Sequence, residues 1–389
     1  MSTETTNLNL TALLDHFTNR QREILALTRA LVETESPSGD EAGSKAVVSL
    51  LAAAARNIDA INSIERVKSE NYGEHLRIKA FGTGSHDTRP PLVILGHTDT
   101  VHPRGSLQQR PWRVEGNRAY GPGVFDMKAN CAMAIEVIRA CASLPQTCPL
   151  VLLLTCDEEK GSMSGRSLVE AVAKRARAVL VMEPPAPGGR VKTGRKGTGM
   201  FTIVTRGRAA HAGLEPEKGA SAIVEIAKQI LRLHEMNDLT TGVTVNVGVV
   251  RGGTTSNVVP AEAIAEIDVR FSTNADAERI EHEINSLRPF DERVQVIVQG
   301  EINRPPLERS EKVLSLFGQA QKIAASLNYE LGEAQVGGAS DGNFAAAVGA
   351  PVLDGLGING DGAHANHEHI LIDDIPRRGA LLAGMVATL

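Results

Sequence analysis

Aromatic residues are scarce: one tryptophan, three tyrosines and eight phenylalanines make up 3% of 389 residues. That excludes the stacking platforms by which proteins grip single-stranded nucleic acid. Positive charge is not in excess either. Lys plus Arg number 41 against 46 Asp plus Glu, a formal net charge of −5, so the basic footprint of a nucleic-acid partner is missing. No apolar run approaches the roughly 20 residues of a membrane helix, and no membrane partner is expected. The polar stretch Met1–Asn9 lacks the basic and apolar segments of a signal peptide and reads as a flexible start. The four cysteines, Cys131, Cys141, Cys148 and Cys156, show no CxxC spacing. A disulfide framework is excluded at this size, and free thiols in a reducing cytoplasm are expected. Phosphate-loop, dinucleotide-binding and H-E-x-x-H signatures are absent too.

What is present is the patterning of an α/β enzyme. Leu10 to Glu33 has helical periodicity, and Ser36-Pro-Ser-Gly-Asp40 ends it, with Ser38 or Asp40 able to cap a second helix through Ala55. Three short continuous apolar runs follow: Pro91–Leu95, Pro149–Thr155 and Ala178–Met182. Runs of this kind predict strands buried on both faces, with helices to either side. After Gly194 the strands alternate, at Phe201–Thr205, Val243–Val250 and Ala263–Phe271, with helices at Ala220–His234 and Ala275–Leu287 and a last strand at Val294–Val298. That order predicts an α+β domain, residues 195–305, inserted into a first domain built from residues 1–194 and 306–389.

Ligands of open α/β sheets gather beyond the C-terminal ends of the strands. There the sequence places His97-Thr-Asp99, Asp157-Glu-Glu159 and Glu183. Asp126 follows the turn Gly121-Pro-Gly-Val and is expected near a helix N-cap, the helix running from Met127 to Ala142. His97, Asp126, Glu159 and Glu183, with one of His364, His367 and His369, form a mixed imidazole and carboxylate set suited to Zn²⁺. Asp99 lies two residues from His97 and can fix its tautomer. Of the adjacent Glu158 and Glu159, one can bind metal while the other handles a proton. Each acid alone is commonly a solvated or capping carboxylate; together they fall just beyond buried strands or a Gly-rich turn.

Gly338-Ala-Ser340-Asp-Gly342 fits the G-x-S-x-G nucleophile elbow, but only a weak strand, Glu333–Val336, precedes it. A helix-capping loop before Asn343–Val348 is the plainer reading of Ser340. In the inserted region stand His211, Arg206, Arg208, Asn257, Arg270 and Arg304. Arginines beside an acidic metal centre suggest a substrate with a carboxylate.

Taken in order, Gly96-His-Thr-Asp-Thr-Val101, Gly121-Pro-Gly-Val-Phe-Asp-Met-Lys128, Thr155-Cys-Asp-Glu-Glu-Lys-Gly-Ser162, Met182-Glu-Pro184, His211-Ala-Gly213 and Gly362-Ala-His-Ala-Asn-His-Glu368 resemble the M20 metallopeptidase family. Asn303-Arg-Pro-Pro306, Val336-Gly-Gly-Ala-Ser-Asp341 and Asp374-Ile-Pro-Arg-Arg378 point to its glutamate carboxypeptidase branch. The resemblance implies a mixed, mostly parallel sheet between helices, an inserted ferredoxin-like dimerisation domain, and a homodimer. It implies two Zn²⁺ per subunit, with Co²⁺ or Mn²⁺ as substitutes. His97, Asp126 and Glu183 would serve one ion. Asp126 would bridge to the other, completed by Glu159 and His364, with His367 the fallback. Glu158 would be the general base for a metal-bridged water, and Asp99 would orient His97. His211 from the partner subunit would stabilise the oxyanion, and Asn257, Arg270 and Arg304 would hold the substrate.

The implied reaction is hydrolysis of an amide beside a free carboxylate, in a small-molecule or peptide-like substrate. An aminoacylase acting on N-acyl amino acids is the alternative; a non-catalytic binding protein and a serine hydrolase using Ser340 are more distant ones. Some carboxypeptidases of this branch are exported, whereas this chain is expected in the cytoplasm.

Overall fold

The computed structural model describes residues 8–82, 87–144 and 148–389. Most of the polar start therefore lies outside the described residues. The chain divides into two compact units. The first comprises residues 1–194, 309–336 and 340–389, the second residues 195–308 with 337–339.

In the first unit six strands form a mixed sheet in the order Ile61–Ser69, Gly73–Ala80, Leu150–Thr155, Leu92–His97, Ala178–Val181, Val352–Leu353. The last four run parallel, and the first two join antiparallel. Every residue of the Leu92, Leu150 and Ala178 strands is buried, which requires cover on both faces. The two antiparallel strands are not apparent as apolar runs. Ile61–Ser69 carries Asn62, Glu65, Arg66 and Lys68, because one side of this edge strand meets solvent.

The expected first helix is two, Leu10–Asn19 and Gln21–Glu33, interrupted at Arg20, whose guanidinium bonds Glu136. Asp40 caps the next helix, Glu41–Ala55, accepting from Gly43 N–H at 2.9 Å. Helix Ala129–Cys141 is buried at every residue except Arg139, so it is fixed in the core on all sides. Helix Asp374–Thr388 packs against Leu10–Asn19 so closely that a methyl group on Gly379 would fall 2.3 Å from Phe17. All four cysteines are buried and free.

A second sheet of this unit runs Gly360–Asp361, His369–Leu371, Arg118–Tyr120, Arg113–Glu115. His369 pairs with Tyr120 in antiparallel register. The turn starting at Gly121 and the loop ending at Glu368 therefore leave the same sheet edge side by side.

The second unit follows strand–helix–strand–strand–helix–strand order: Gly197–Arg206, Ala222–His234, Thr244–Gly252, Glu262–Phe271, Asn274–Asn285, Gln295–Arg304. Its sheet is antiparallel, in the order Thr244, Glu262, Gly197, Gln295 strands. Buried and exposed residues alternate along the two central strands. The unit extends three residues past the expected boundary because Arg195 and Leu307 exchange backbone hydrogen bonds, 3.0 Å each. Residues 337–339 join it through the Arg195 guanidinium, which donates to Gly338 O (3.0 Å) and Ala339 O (3.3 Å). No helix among the described residues is long and apolar enough to cross a membrane.

Candidate metal centre

Three parallel neighbours deliver the first group of side chains. His97 is the last residue of the central strand. Glu158 and Glu159 occupy a short helical turn just past the strand on one side, and Glu183 stands two residues past the strand on the other. Gly96 makes room below: a methyl group there would lie 2.4 Å from Met127 Cε.

Asp126 departs from expectation. It is not a cap; its backbone is extended (φ −117°, ψ 89°), the Asp126–Met127 peptide is cis, and the helix starts only at Ala129. Its carboxylate faces two imidazoles. Oδ1 lies 3.2 Å from His97 Nε2, and Oδ2 lies 3.4 Å from His364 Nε2. Glu183 Oε1 is 3.4 Å from His97 Nε2, and Glu159 Oε2 is 3.3 Å from His364 Nε2. Of the C-terminal histidines, His364 makes this approach, from a left-handed backbone position (φ 64°). His367 is exposed and offers its carbonyl to His369 Nδ1.

Donor atoms of His97, Asp126 and Glu159 lie within 4.8 Å of one another, as do those of His97, Glu158 and Glu183. Glu159 Oε1 is buried with no hydrogen-bond partner. An orphaned carboxylate oxygen costs free energy unless something positive meets it. This oxygen, within a nitrogen and oxygen donor set of two imidazoles and three carboxylates, fits a divalent cation of the zinc type.

The electrostatics agree. Burial opposes charge on His97, but Asp126, Asp99 and Glu183 outweigh it and hold the imidazole well above its usual range. Hydrogen bonds from Asp126 and Glu159 push His364 up to about 10. Burial raises Asp126, yet the two imidazoles bring it far below the ordinary carboxylate range. Glu159 is raised, chiefly by burial. A cation held by these atoms displaces the protons that the imidazoles retain.

Asp99 sits behind this set, buried. His97 Nδ1 is 3.0 Å from its backbone oxygen and 3.4 Å from its Oδ1, so the carbonyl is the nearer orienting acceptor. The Asp99 carboxylate also accepts from Glu158 N–H and Glu159 N–H, both 3.2 Å, and from Ser38 Oγ at 2.5 Å. One side chain thus ties the His97 strand to the turn carrying both glutamates. Ser38, read from sequence only as a possible cap, is the partner that composition did not reveal. Lys128 was also missed: its buried ammonium donates to Leu31 O in the last turn of helix Gln21–Glu33 and to Thr34 O just past it, and burial lowers it to about 8.

A neighbouring trio, His75, Cys156 and Asp157, also has metal-ligand spacing. Hydrogen bonds occupy both nitrogens of its imidazole and one oxygen of its carboxylate, while Asp157 Oδ1 is buried without a hydrogen-bond partner. His75 Nδ1 accepts from Cys156 N–H (3.2 Å), and His75 Nε2 lies 3.1 Å from Ser164 Oγ. Asp157 Oδ2 accepts from the Ser164 and Gly165 N–H groups at the start of a helix. Burial, with Asp157 adding to it, pushes the Cys156 thiol up to about 12.

Ser340 is no nucleophile elbow. It is buried, caps helix Asp341–Ala347 in a reciprocal box with Asn343, and donates to Asp354 Oδ2 at 2.7 Å. The residues of the second unit stand apart from one another in kind. His211 is exposed, and its Nδ1 accepts from Gly213 and Leu214 N–H at 3.1 and 3.2 Å. Asn257 O accepts from Ala212 N–H, bringing these two loops together. Arg270 and Arg304 flank Thr198 in strand register and so share a sheet face. The Arg270 fork is occupied by Asp268 through two 2.8 Å bonds.

Known proteins resemble this chain along most of its length. Carboxypeptidase G2 of Pseudomonas sp. (strain RS-16) is 31% identical over 383 residues, 96% of this chain and 90% of its own. The succinyl-diaminopimelate desuccinylase of Leptothrix cholodnii is 30% identical over 373 residues, covering 89% and 93%. Among solved structures, the aminopeptidase PepT of Bacillus cereus ATCC 10987 shares the fold at a TM-score of 0.73, with 21% identity over 94% of this chain and 98% of that one. The model of peptidase family M20/M25/M40 matches residues 93–388. The chain belongs to that family and is one of its hydrolases.

Proposed function

We propose that this hydrolase uses a pair of zinc ions to cleave an amide beside a free carboxylate, in the manner of a glutamate carboxypeptidase. The observation that carries the reading is Asp126, which turns one oxygen to His97 and the other to His364. His97 and Glu183 would hold one ion, Glu159 and His364 the other, and Asp126 both. When bound, such a pair acidifies a water and polarises a carbonyl. Glu158 accepts the proton released by the attacking water and delivers it to the departing amine nitrogen. Asp99 keeps the base in place through the Glu158 N–H. His211 Nδ1 is an acceptor, so a neutral ring carries its proton on Nε2. That N–H is the donor offered to the oxyanion, supplied by the partner subunit of a homodimer. Asn257, Arg270 and Arg304 hold the substrate, Arg270 after exchanging Asp268 for the substrate carboxylate.

Two features support the homodimer. The Thr244–Gly252 strand is a sheet edge, and unpaired edges are templates for pairing. Ile223, Val224 and Leu231 on the adjoining helix, and Val250 on the strand, are exposed apolar residues. The carboxypeptidase reading is favoured by the match along nearly the whole chain to carboxypeptidase G2. The desuccinylase and deacetylase relatives, 26–30% identical, favour an N-acyl deacylase as the second reading.

The test is hydrolysis of a panel of acyl-, succinyl- and folate-type glutamates and N-acyl amino acids, before and after chelation and metal restoration. The carboxypeptidase reading expects glutamate amides to lead and activity to return with Zn²⁺. Preference for N-acetyl or N-succinyl diamino acids supports the deacylase instead. Activity that survives verified metal removal refutes both.

A further inference from the structure

The Glu368 carboxylate bonds to the backbone of one candidate metal ligand, Asp126, rather than to its side chain. It is buried, 3% exposed, and four donors converge on it. Oε2 accepts from Gly123 N–H at 2.8 Å and meets His102 Nε2 at 2.6 Å. Oε1 accepts from Phe125 N–H and Asp126 N–H, both at 2.9 Å. The three backbone donors all belong to the turn that presents Asp126. Glu368 itself ends the loop that presents His364, four residues earlier.

The ring closes through His102. Arg110 donates to His102 Nδ1 at 3.3 Å and to Ala365 O at 3.4 Å, beside His364. Because Arg110 is only a donor, His102 Nδ1 must accept, so Nε2 carries the hydrogen that Glu368 receives. Each carboxylate oxygen of Glu368 is therefore matched to two donors.

We propose that Glu368, seated by His102, is a positioning residue that sets the separation of Asp126 from His364 and thereby the affinity for the cation at the His364 end. This rests on the proposed ligand roles of Asp126 and His364. The two loops have no other side chain bonded to three successive or near-successive N–H groups of the Asp126 turn among the described residues. A glutamine in its place keeps the shape but turns an NH₂ group toward donors on whichever side it sits. On the Oε1 side it opposes two backbone N–H groups. On the Oε2 side it opposes Gly123 N–H and a His102 tautomer that Arg110 holds fixed. Either orientation releases part of the Asp126 turn from the His364 loop.

The experiment uses the full chain stripped of metal and titrated with Zn²⁺ and Co²⁺ against a competing chelator. Wild type, Glu368→Gln, His102→Ala and His364→Ala are compared. Glu368→Gln is expected to weaken one equivalent by about 10–100-fold, the range for removing a partner that orients metal ligands. His364→Ala should weaken that same equivalent, and the other, which shares Asp126 but not His364, should be weakened less by Glu368→Gln. The visible spectrum of the affected Co²⁺ equivalent should shift, a readout that mere loss of fold stability does not produce. His102→Ala removes one of four donors and should give a smaller loss at that equivalent; it decides the matter if Glu368→Gln does not fold. Unchanged affinity and spectrum in the folded variants overturn the inference while wild type still binds two cations. Wild type that binds fewer than two overturns the ligand assignment and the inference together.

Discussion

Replacing Asp99 by asparagine changes one atom type and tests whether this buried carboxylate supports both the metal ligand and the base. The His97 Nδ1 hydrogen keeps its nearer acceptor, the Asp99 carbonyl at 3.0 Å. The loss therefore falls on the carboxylate's other contacts. One oxygen receives Glu158 N–H, the other Glu159 N–H and Ser38 Oγ. An amide NH₂ must oppose one of the two backbone donors, and a buried donor left unmatched costs about 1–3 kcal/mol. Metal affinity should fall toward the lower end of the ~10–100-fold range for such partners, because the carbonyl still orients the ring. Turnover should fall further, since the turn bearing Glu158 is loosened. A pH series adds a sharper test. Asp99 helps to hold His97 above its usual pKa, so wild type spends more affinity on displacing that proton than the variant does. The gap in metal affinity should therefore narrow as the pH falls. The assay is chelator competition at several pH values alongside kcat/KM on the best substrate. An Asp99→Asn variant within twofold of wild type in both would refute the reasoning.

Glu158→Gln should keep both metal equivalents and lose about 10²–10⁴-fold in kcat, the usual contribution of a positioned acid–base group; metal analysis beside steady-state kinetics checks it. Uptake of metal should release protons, because His364 is pushed up to about 10 by Asp126 and Glu159. From that ring alone, apparent affinity should climb about tenfold per pH unit below 10 and then level, which calorimetry in buffers of different ionisation heat will register. Ser340→Ala should cost about 0.5–2 kcal/mol of stability through the lost helix cap, seen as a lower melting temperature. It should leave the kcat of the folded enzyme unchanged, and wild-type Ser340 should resist fluorophosphonate labelling.

The strand ends were legible because parallel strands buried on both faces have no room for polar residues. A His or an acid just after such a run stands out, as His97, Glu158, Glu159 and Glu183 do. The antiparallel strands Ile61–Ser69, at the sheet edge, and Gly73–Ala80, beside it, were not legible, since their polar, partly exposed positions break the apolar runs. Asp126 stands in the expected turn just before a helix, but the extended backbone that takes it away from the cap position leaves no mark in a Gly-Pro-Gly sequence. The Glu368–His102 contact joins residues 266 positions apart, and local pattern carries no trace of such pairs. Arg270 shows the converse: a residue type suited to a carboxylate, already bonded to a carboxylate two residues away.

The close seating of helix Asp374–Thr388 on Leu10–Asn19 bears on synthesis. The second unit is nearly continuous in the chain and has its own buried cluster around Phe201, Ile267 and Ile280. Its last long segment leaves the ribosome while the first unit still lacks residues 309–389. At about 5–20 residues per second, roughly 80 residues take ~4–16 s to follow. For that interval Phe17 and the helices around it have no covering helix, although Phe17 precedes that helix by more than 350 residues. The nascent chain thus carries an uncovered apolar face that began at its N-terminal end, and this is the stage at which chaperone binding would be expected to concentrate.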